Sequence, residues 1–286
     1  MTRLADITGD IANMGELRNI VSAMRSLAGM RVQEAQLALP EIRRYADSMA
    51  AAIEASLMLM PRQEPPRPAR QGIRALVLCA AEHGFAGGFN ERLVEAAEAE
   101  LQPRDVLFVL GSRGAALALE RGTHAAWARP MATRLAGTPG TVNQLTRELY
   151  ARIARGEISR VEVMFSRYRR GGQSTLERRL LLPLDTASIA AGIAAGQPRQ
   201  APFANLEPAA LFEKLAAEYV FALLTEAAVE SIASENAARF SAMEAACDNV
   251  QKKLQQLQQE ASQARQTEIT TELLDLVTGA EALSGT

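Results

Sequence analysis

The sequence predicts an α/β protein: a long antiparallel two-helix coiled coil formed by both termini, plus a central α/β domain. Three observations predict it. Residues 2–59 and 208–286 repeat their apolar side chains at three- and four-residue steps, the spacing of one helical face. Residues 73–204 instead alternate short apolar runs with helical stretches, the pattern of a mostly parallel sheet with helices on its faces. Two segments rich in proline, glycine and alanine, 61–72 and 190–208, separate these regions. The expected divisions are therefore 1–60, an N-terminal coiled-coil helix; 61–72, a Pro-rich linker; 73–207, a Rossmann-like α/β domain; and 208–286, a C-terminal coiled-coil helix.

In the first region Ile7, Ile11, Met14, Leu17, Val21, Met24, Ala28, Val32 and Ala35 form the stripe. Pro40 is the exception; it removes a backbone donor and crowds the preceding turn, so a kink or break is expected near Leu37–Pro40. "PRQEPPRPAR", with four prolines, then ends the helix in a stiff linker.

In the central region "IRALVLCA" reads as a buried strand, "GFAGGF" as a turn, and "NERLVEAAEAEL" as a helix with Asn90 at its N-cap. "DVLFVLG" is a second strand and "SRGAALALERG" a helix closed by Gly122. A loop follows Trp127, then a helix over about Thr141–Arg155. "ISRVEVMFSRY" and "STLERRLLLPL" form a closing antiparallel pair around Gly171 and Gly172.

The last region begins with Pro208, suited to a first helical turn, and contains no later proline. Val229, Asn236, Met243, Val250, Leu257 and Ala264 fall seven apart, with Ala233, Phe240, Cys247, Leu254 and Ala261 between them. Such a sustained heptad argues for a coiled coil, with Asn236 as a candidate register device. The register breaks after Ala264, because the next stripe starts at Ile269 and continues through Leu273, Leu276, Ala280 and Leu283. Arg265, Gln266, Glu268 and Thr270 crowd a polar cluster into that break. Helices this long do not hold alone in water, so the two should pair, with the longer C-terminal one projecting past its mate. A stripe and a polar hook at the tip imply a partner that grips it.

Composition excludes several classes. The net charge of −2 supplies no field for nucleic acid. Cys79 and Cys247 form neither a metal spacing nor a disulfide framework, which fits a reduced cytoplasmic setting. The N-terminus carries no signal or transit pattern and no apolar run reaches bilayer length, so membrane association is expected only through partners. His83 and His124 have no ligand at metal spacing, and "AEHGFAGGFN" matches neither nucleotide-binding glycine motif. No catalytic residue, cofactor or metal is therefore expected. "QKKLQQLQQEASQARQ" holds seven glutamines, either a solvated face or a nearly uncharged surface able to sit inside a protein collar.

Five stretches, in order, resemble the gamma subunit family of F-type ATP synthases. They are "NIVSAMRSLAGMRVQEAQ", "GFAGGFN", "LGSRG", "ASENAARFSAMEAACDNV" and "ARQTEITTELLDLVTGAEAL". The resemblance covers nearly the whole chain. It implies a non-catalytic rotor stalk that couples ion flow through a membrane ring to ATP synthesis or hydrolysis. The implied partners are three alpha and three beta subunits around the stalk, the epsilon subunit and the membrane ion-carrying ring. The implied place is the cytoplasmic side of a bacterial inner membrane, held peripherally. By matching motif, Arg265, Gln266 and Thr270 would bond a beta-subunit catch, Met24 and Arg25 would face the moving beta domain, and Tyr45 would lie near the foot. Asn19, Gly29, Ala86 and the position of Pro40 depart from the family pattern, which suggests a divergent, alternative bacterial form. The rival readings are a static coiled-coil adaptor and a nucleotide-binding α/β enzyme with helical extensions.

Overall fold

The computed structural model describes residues 2–59, 72–169, 174–185 and 204–284. Their elements are α1 (Thr2–Leu57), β1 (Arg74–Cys79), α2 (Phe89–Glu100), β2 (Val106–Leu110), α3 (Ser112–Glu120), β3 (Trp127–Arg129), α4 (Thr138–Ala154), β4 (Arg160–Tyr168), β5 (Ser174–Leu182) and α5 (Pro208–Ser284). The two linkers lie almost entirely outside the described residues, and the turn at Gly171 and Gly172 does so wholly. Two compact units divide the chain: Met1–Leu27 with Phe240–Thr286, and Ala28–Arg239.

The mixed α/β fold and the long terminal helices agree with the sequence pattern. In the second unit five strands run in the order β3-β2-β1-β4-β5. β1 pairs in parallel with β2 and with β4, β2 pairs in parallel with β3, and β5 closes the sheet antiparallel to β4. β1 is buried on both faces, as the continuous apolar run "ALVLC" requires. Ala75, Val77 and Cys79 face one core, built with Phe108, Phe165, Leu145 of α4 and Leu224 and Ala228 of α5. Leu76 and Leu78 face the other, built with Phe89 and Leu93 of α2 and Ala118 of α3. Each fully buried Leu or Phe of these layers contributes about 1.5–3 kcal/mol of transfer free energy.

Three local expectations are corrected. The break at Pro40 does not occur: α1 is one helix through it. Leu39 and Ala35 are buried against Val229 and Ala233 of α5, while Pro40 and Gln36 are exposed. Packing on one side holds the helix, and water meets the carbonyl that loses its donor on the other. Ala128 and Arg129, read as the start of a loop after Trp127, form with it a third parallel strand, Trp127–Arg129, whose residues pair with Phe108, Val109 and Leu110; three residues carry too little pattern to be seen in sequence. Asn90 is not an N-cap, because α2 starts at Phe89 and Gly88 precedes it without a side-chain cap. Asn90 is buried instead, and its Oδ1 accepts the Ala81 N–H at 2.9 Å.

α5 is buried almost all round between Ala222 and Asn236. Its apolar residues, among them Leu224, Ala228 and Ile232, form one wall of the sheet's packing, and its polar residues are buried with them. The antiparallel sense of the helix pair is visible within this unit. Ala35 and Leu39 meet Val229 and Ala233, Arg43 reaches Glu226, and Tyr45 reaches Glu218.

Candidate partner-binding surfaces

The first unit is built from the ends of both long helices. Val21 on α1 and Met243, Val250, Leu254 and Leu257 on α5 are buried, so the heptad seam is the buried face. Phe240, Cys247, Ala261 and Ala264 are half-buried along it. Leu4 and Ile7 line a cleft of about 550 Å³ with Glu260, Gln263, Ala264, Thr267, Glu268, Thr271 and Glu272. The start of α1 thus lies against the last heptad of α5 and the turns just after it. Beyond that cleft α5 runs on to Ser284.

At the register break the buried face and the apolar face part. Ile269 is 49% exposed, Leu273 57% and Leu276 71%, with Val277 also exposed. At about 100° per residue these side chains point roughly opposite to Gln263, Ala264, Thr267 and Thr271, which face α1. Arg265, Gln266 and Thr270 are exposed and lie on or beside the same outward face. The Thr270 hydroxyl donates to the Gln266 carbonyl at 2.8 Å, which leaves its oxygen lone pairs free to accept. The tip therefore carries an uncovered apolar stripe edged by a guanidinium, an amide and a hydroxyl. That combination supplies both apolar area and directional bonds to a partner.

Met24 and Arg25 are half-buried on α1. They stand about 30 Å along the helix from Leu4, at 1.5 Å per residue, so they form a separate patch from Arg265. Tyr45 belongs to the other unit, is 42% exposed, and donates its hydroxyl to Glu218 Oε2 at 2.9 Å. Burial, and then the Glu218 carboxylate, raise its pKa. The structure groups the three tip residues and leaves Met24 with Arg25, and Tyr45, elsewhere.

The second unit carries a polar set that the sequence pattern did not single out. In a sheet of this order, ligand crevices open beyond the strand C-termini where the winding reverses, here between β1 and β4. α5 fills that place. Ser231 Oγ donates to the Cys79 carbonyl at the end of β1, and Ser234 Oγ donates to the Ser166 carbonyl of β4 at 2.8 Å. Arg239 donates to the His83 and Gly84 carbonyls of the following loop, and its Nη1 to Asn236 Oδ1 at 3.0 Å. Asn236, read as a register device, bonds within its own helix, to the Ile232 carbonyl and to Arg239. Glu235 pairs with Arg239; burial raises its pKa against the opposing pull of Arg239.

The N-terminus of α3, where a phosphate would sit in a nucleotide fold, is also occupied. Glu82 accepts the Ser112 N–H at 2.9 Å and the Ser112 hydroxyl at 2.8 Å, and it accepts the Met131 N–H at 2.8 Å. One carboxylate ties together the loops after β1, β2 and β3. The "LGSRG" glycines make this approach possible. Gly111 has φ +112°, and a Cβ there would overlap the Ala80 carbonyl. A Cβ on Gly114 would overlap the Ala80 side chain.

A charged cluster joins α5 to β4, β5 and α1. Arg43 Nε donates to Glu226 at 2.9 Å, and Arg43 also bonds Glu230. Arg179 donates to Glu226 at 2.6 Å; the Tyr168 N–H donates to Glu230 at 3.1 Å, with Arg167 3.6 Å away. Burial pushes the Glu226 carboxyl up, but the bonds from Arg179 and Arg43 outweigh it and the pKa is lowered. At Glu230 burial wins, over the Tyr168 N–H and the guanidinium charges, and the pKa is raised. The available sequence signal was an alanine-rich run with polar residues on every side, "ALLTEAAVESIASE", too apolar for a solvated helix.

Comparison with known proteins follows the same outline. The family model described as ATP synthase matches residues 3–283. The ATP synthase gamma chain of Synechococcus elongatus is 28% identical over 317 residues, covering 100% of both chains. That of Anaeromyxobacter dehalogenans is 29% identical, covering 99% of this chain and all of its own. Among solved structures, a chain of the Euglena gracilis mitochondrial ATP synthase, in its OSCP/F1/c-ring assembly, aligns with a TM-score of 0.64 at 14% identity, over 98% of this chain and 94% of that one. A chain of the Euglena gracilis rotor aligns with a TM-score of 0.61 at 13% identity, over 93% of this chain and 98% of that one.

Proposed function

Because the chain belongs to the ATP synthase family, matched over residues 3–283, and resembles gamma chains along its whole length, we propose that it is the central rotor stalk of a rotary ATP synthase. It couples ion flow through a membrane ring to ATP synthesis or hydrolysis at sites on other subunits. The observation that carries this reading is the tip of α5: Ile269, Leu273 and Leu276 are exposed on the face turned away from α1. An apolar stripe that none of the described residues covers calls for an outside cover. In this reading the cover is a collar of three alpha and three beta subunits, and Arg265, Gln266 and Thr270 bond the beta catch. Met24 and Arg25 meet the moving beta domain. Tyr45 lies near the foot, where the chain meets the epsilon subunit and the ion-carrying ring. No helix of the described residues is long and apolar enough to cross a membrane, and the stalk attaches to the bacterial inner membrane peripherally, on the cytoplasmic side.

The chain itself is non-catalytic in this reading. Support comes from the filled crevice: Ser231 and Ser234 of α5 take strand carbonyls, Arg239 takes carbonyls of the loop after β1, and Glu82 takes the α3 N-terminus. A nucleotide-binding enzyme would need both places open. ATP, ADP or a dinucleotide should therefore leave the melting temperature of the isolated chain unchanged, and a dose-dependent rise would favour the enzyme reading.

The deciding experiment is copurification. A tagged chain expressed in its own cells should bring down alpha and beta subunits at about three each per copy. In that complex, replacing Arg265 and Gln266 together by alanine should lower ATP turnover or coupling; unchanged turnover and coupling would remove the tip residues from the proposal. A static adaptor predicts that truncating the tip is harmless so long as assembly persists.

A further inference from the structure

We propose that force passes between the α/β domain and the helix pair through α5, by a polar clamp that runs from the middle of the sheet to its C-terminal edge, and that α1 is carried along by its bonds to α5. This rests on the rotor reading. The clamp is Ser231 to the Cys79 carbonyl, Ser234 to the Ser166 carbonyl, Arg239 to the His83 and Gly84 carbonyls, and Glu226 to Arg179. It spans α5 from Glu226 to Arg239, roughly 20 Å at 1.5 Å per residue. It reaches β1, the loop after β1, β4 and β5, so it grips the sheet on both sides of the winding reversal.

The chemistry suits a load. Apolar packing is non-directional and resists separation better than sliding. Hydrogen bonds are directional and fix register, and in a dry site they have no water to exchange with when strained. Ser231 and Ser234 are both buried, and their acceptors are strand carbonyls rather than side chains. A backbone acceptor within a paired strand moves only if the sheet moves. α1 is joined differently. Arg43 bonds Glu226 and Glu230, and Tyr45 bonds Glu218, all of them α5 carboxylates. The Arg43 side chain is 45% exposed, where such bonds exchange with water. Removing Arg43 leaves Glu226 with Arg179, and Glu230 with the Tyr168 N–H, so the clamp survives its loss.

The test uses fully assembled complex, purified and sealed in vesicles, and reads ions pumped per ATP hydrolysed; detached subunits, which would hydrolyse ATP without pumping and lower this ratio, are removed beforehand. Ser231→Ala with Ser234→Ala should hydrolyse ATP at the wild-type rate and show a clear loss of ions pumped per ATP. Arg43→Gln should keep the wild-type ratio. Ser231→Thr with Ser234→Thr, which retains both donors, should restore it. If the double alanine chain does not assemble, each alanine singly decides: a lowered ratio upholds the clamp and a wild-type ratio overturns it. The clamp is also overturned if the double variant pumps normally, or if Arg43→Gln loses coupling to the same degree. A wild-type chain that fails to copurify with alpha and beta subunits sinks the rotor reading and the clamp together; a normal wild-type complex with an unaffected double variant sinks the clamp alone.

Discussion

Single residues in this chain do work that their type alone does not announce. Asn90 looks like a helix cap and is instead the buried partner of the Ala81 amide. Asn90→Ala should leave that amide without an acceptor and cost about 1–3 kcal/mol, read as a lower urea midpoint of the isolated chain. Gly114 stands where a helix turn meets the Ala80 side chain, so Gly114→Ala should overpack the site and destabilise by a similar amount, about 1–3 kcal/mol. The paired glutamates differ in sign. The Glu226 pKa is lowered by Arg179 and Arg43 against burial, so its stabilisation is present above the ordinary glutamate value and is lost as pH falls through the depressed one. The Glu230 pKa is raised by burial, so its charge costs stability at neutral pH and the native state regains it as pH falls. At pH 7, Glu226→Gln should therefore lower stability by about 1–3 kcal/mol, below a fully buried pair because Arg43 and Arg179 keep contact with water. Glu230→Gln should be neutral or stabilising; a larger loss in Glu230→Gln than in Glu226→Gln would refute this ordering.

Elements show where periodicity suffices and where it fails. The heptad between Val229 and Ala264 marked the face of α5 that is buried, down to Leu254 and Leu257. It also located the break after which the apolar stripe turns outward at Ile269. Pattern failed at Pro40, because propensity describes an isolated helix and α1 is held by packing on Ala35 and Leu39. It failed at β3, whose three residues owe their conformation to hydrogen bonds from β2. At this scale the tip stripe makes its own prediction. Leu273→Asp should leave the isolated chain's melting temperature within a degree or two, since the side chain is already 57% exposed. The same change should lower recovery or turnover of the assembled complex, and an unaffected complex would count against a covered stripe.

For the molecule as a whole, the family assignment and the fold agree on a subunit of an ATP synthase. The α/β domain keeps the architecture of a ligand-binding fold, and its crevice is filled by its own C-terminal helix. That filling turns a binding site into an attachment site, which is what a rotor requires of the part that holds its axle. Copurification stoichiometry and the Arg265–Gln266 double variant test this level, and neither depends on the clamp.

The sequence by itself determined the long terminal helices, four of the five strands, the parallel sheet with its antiparallel edge, the heptad face and the family. Those follow from local periodicity and from motifs such as "LGSRG", where close approach admits only glycine. Tertiary structure alone decided that α5 enters the crevice between β1 and β4, that Ser231, Ser234 and Arg239 are buried there, and that Glu226 is buried against β5. Polar residues on a long helix have the same local pattern whether they meet water or strand carbonyls. Only the chain folded on itself brings residue 79 to residue 231, and no local interaction energy encodes that meeting.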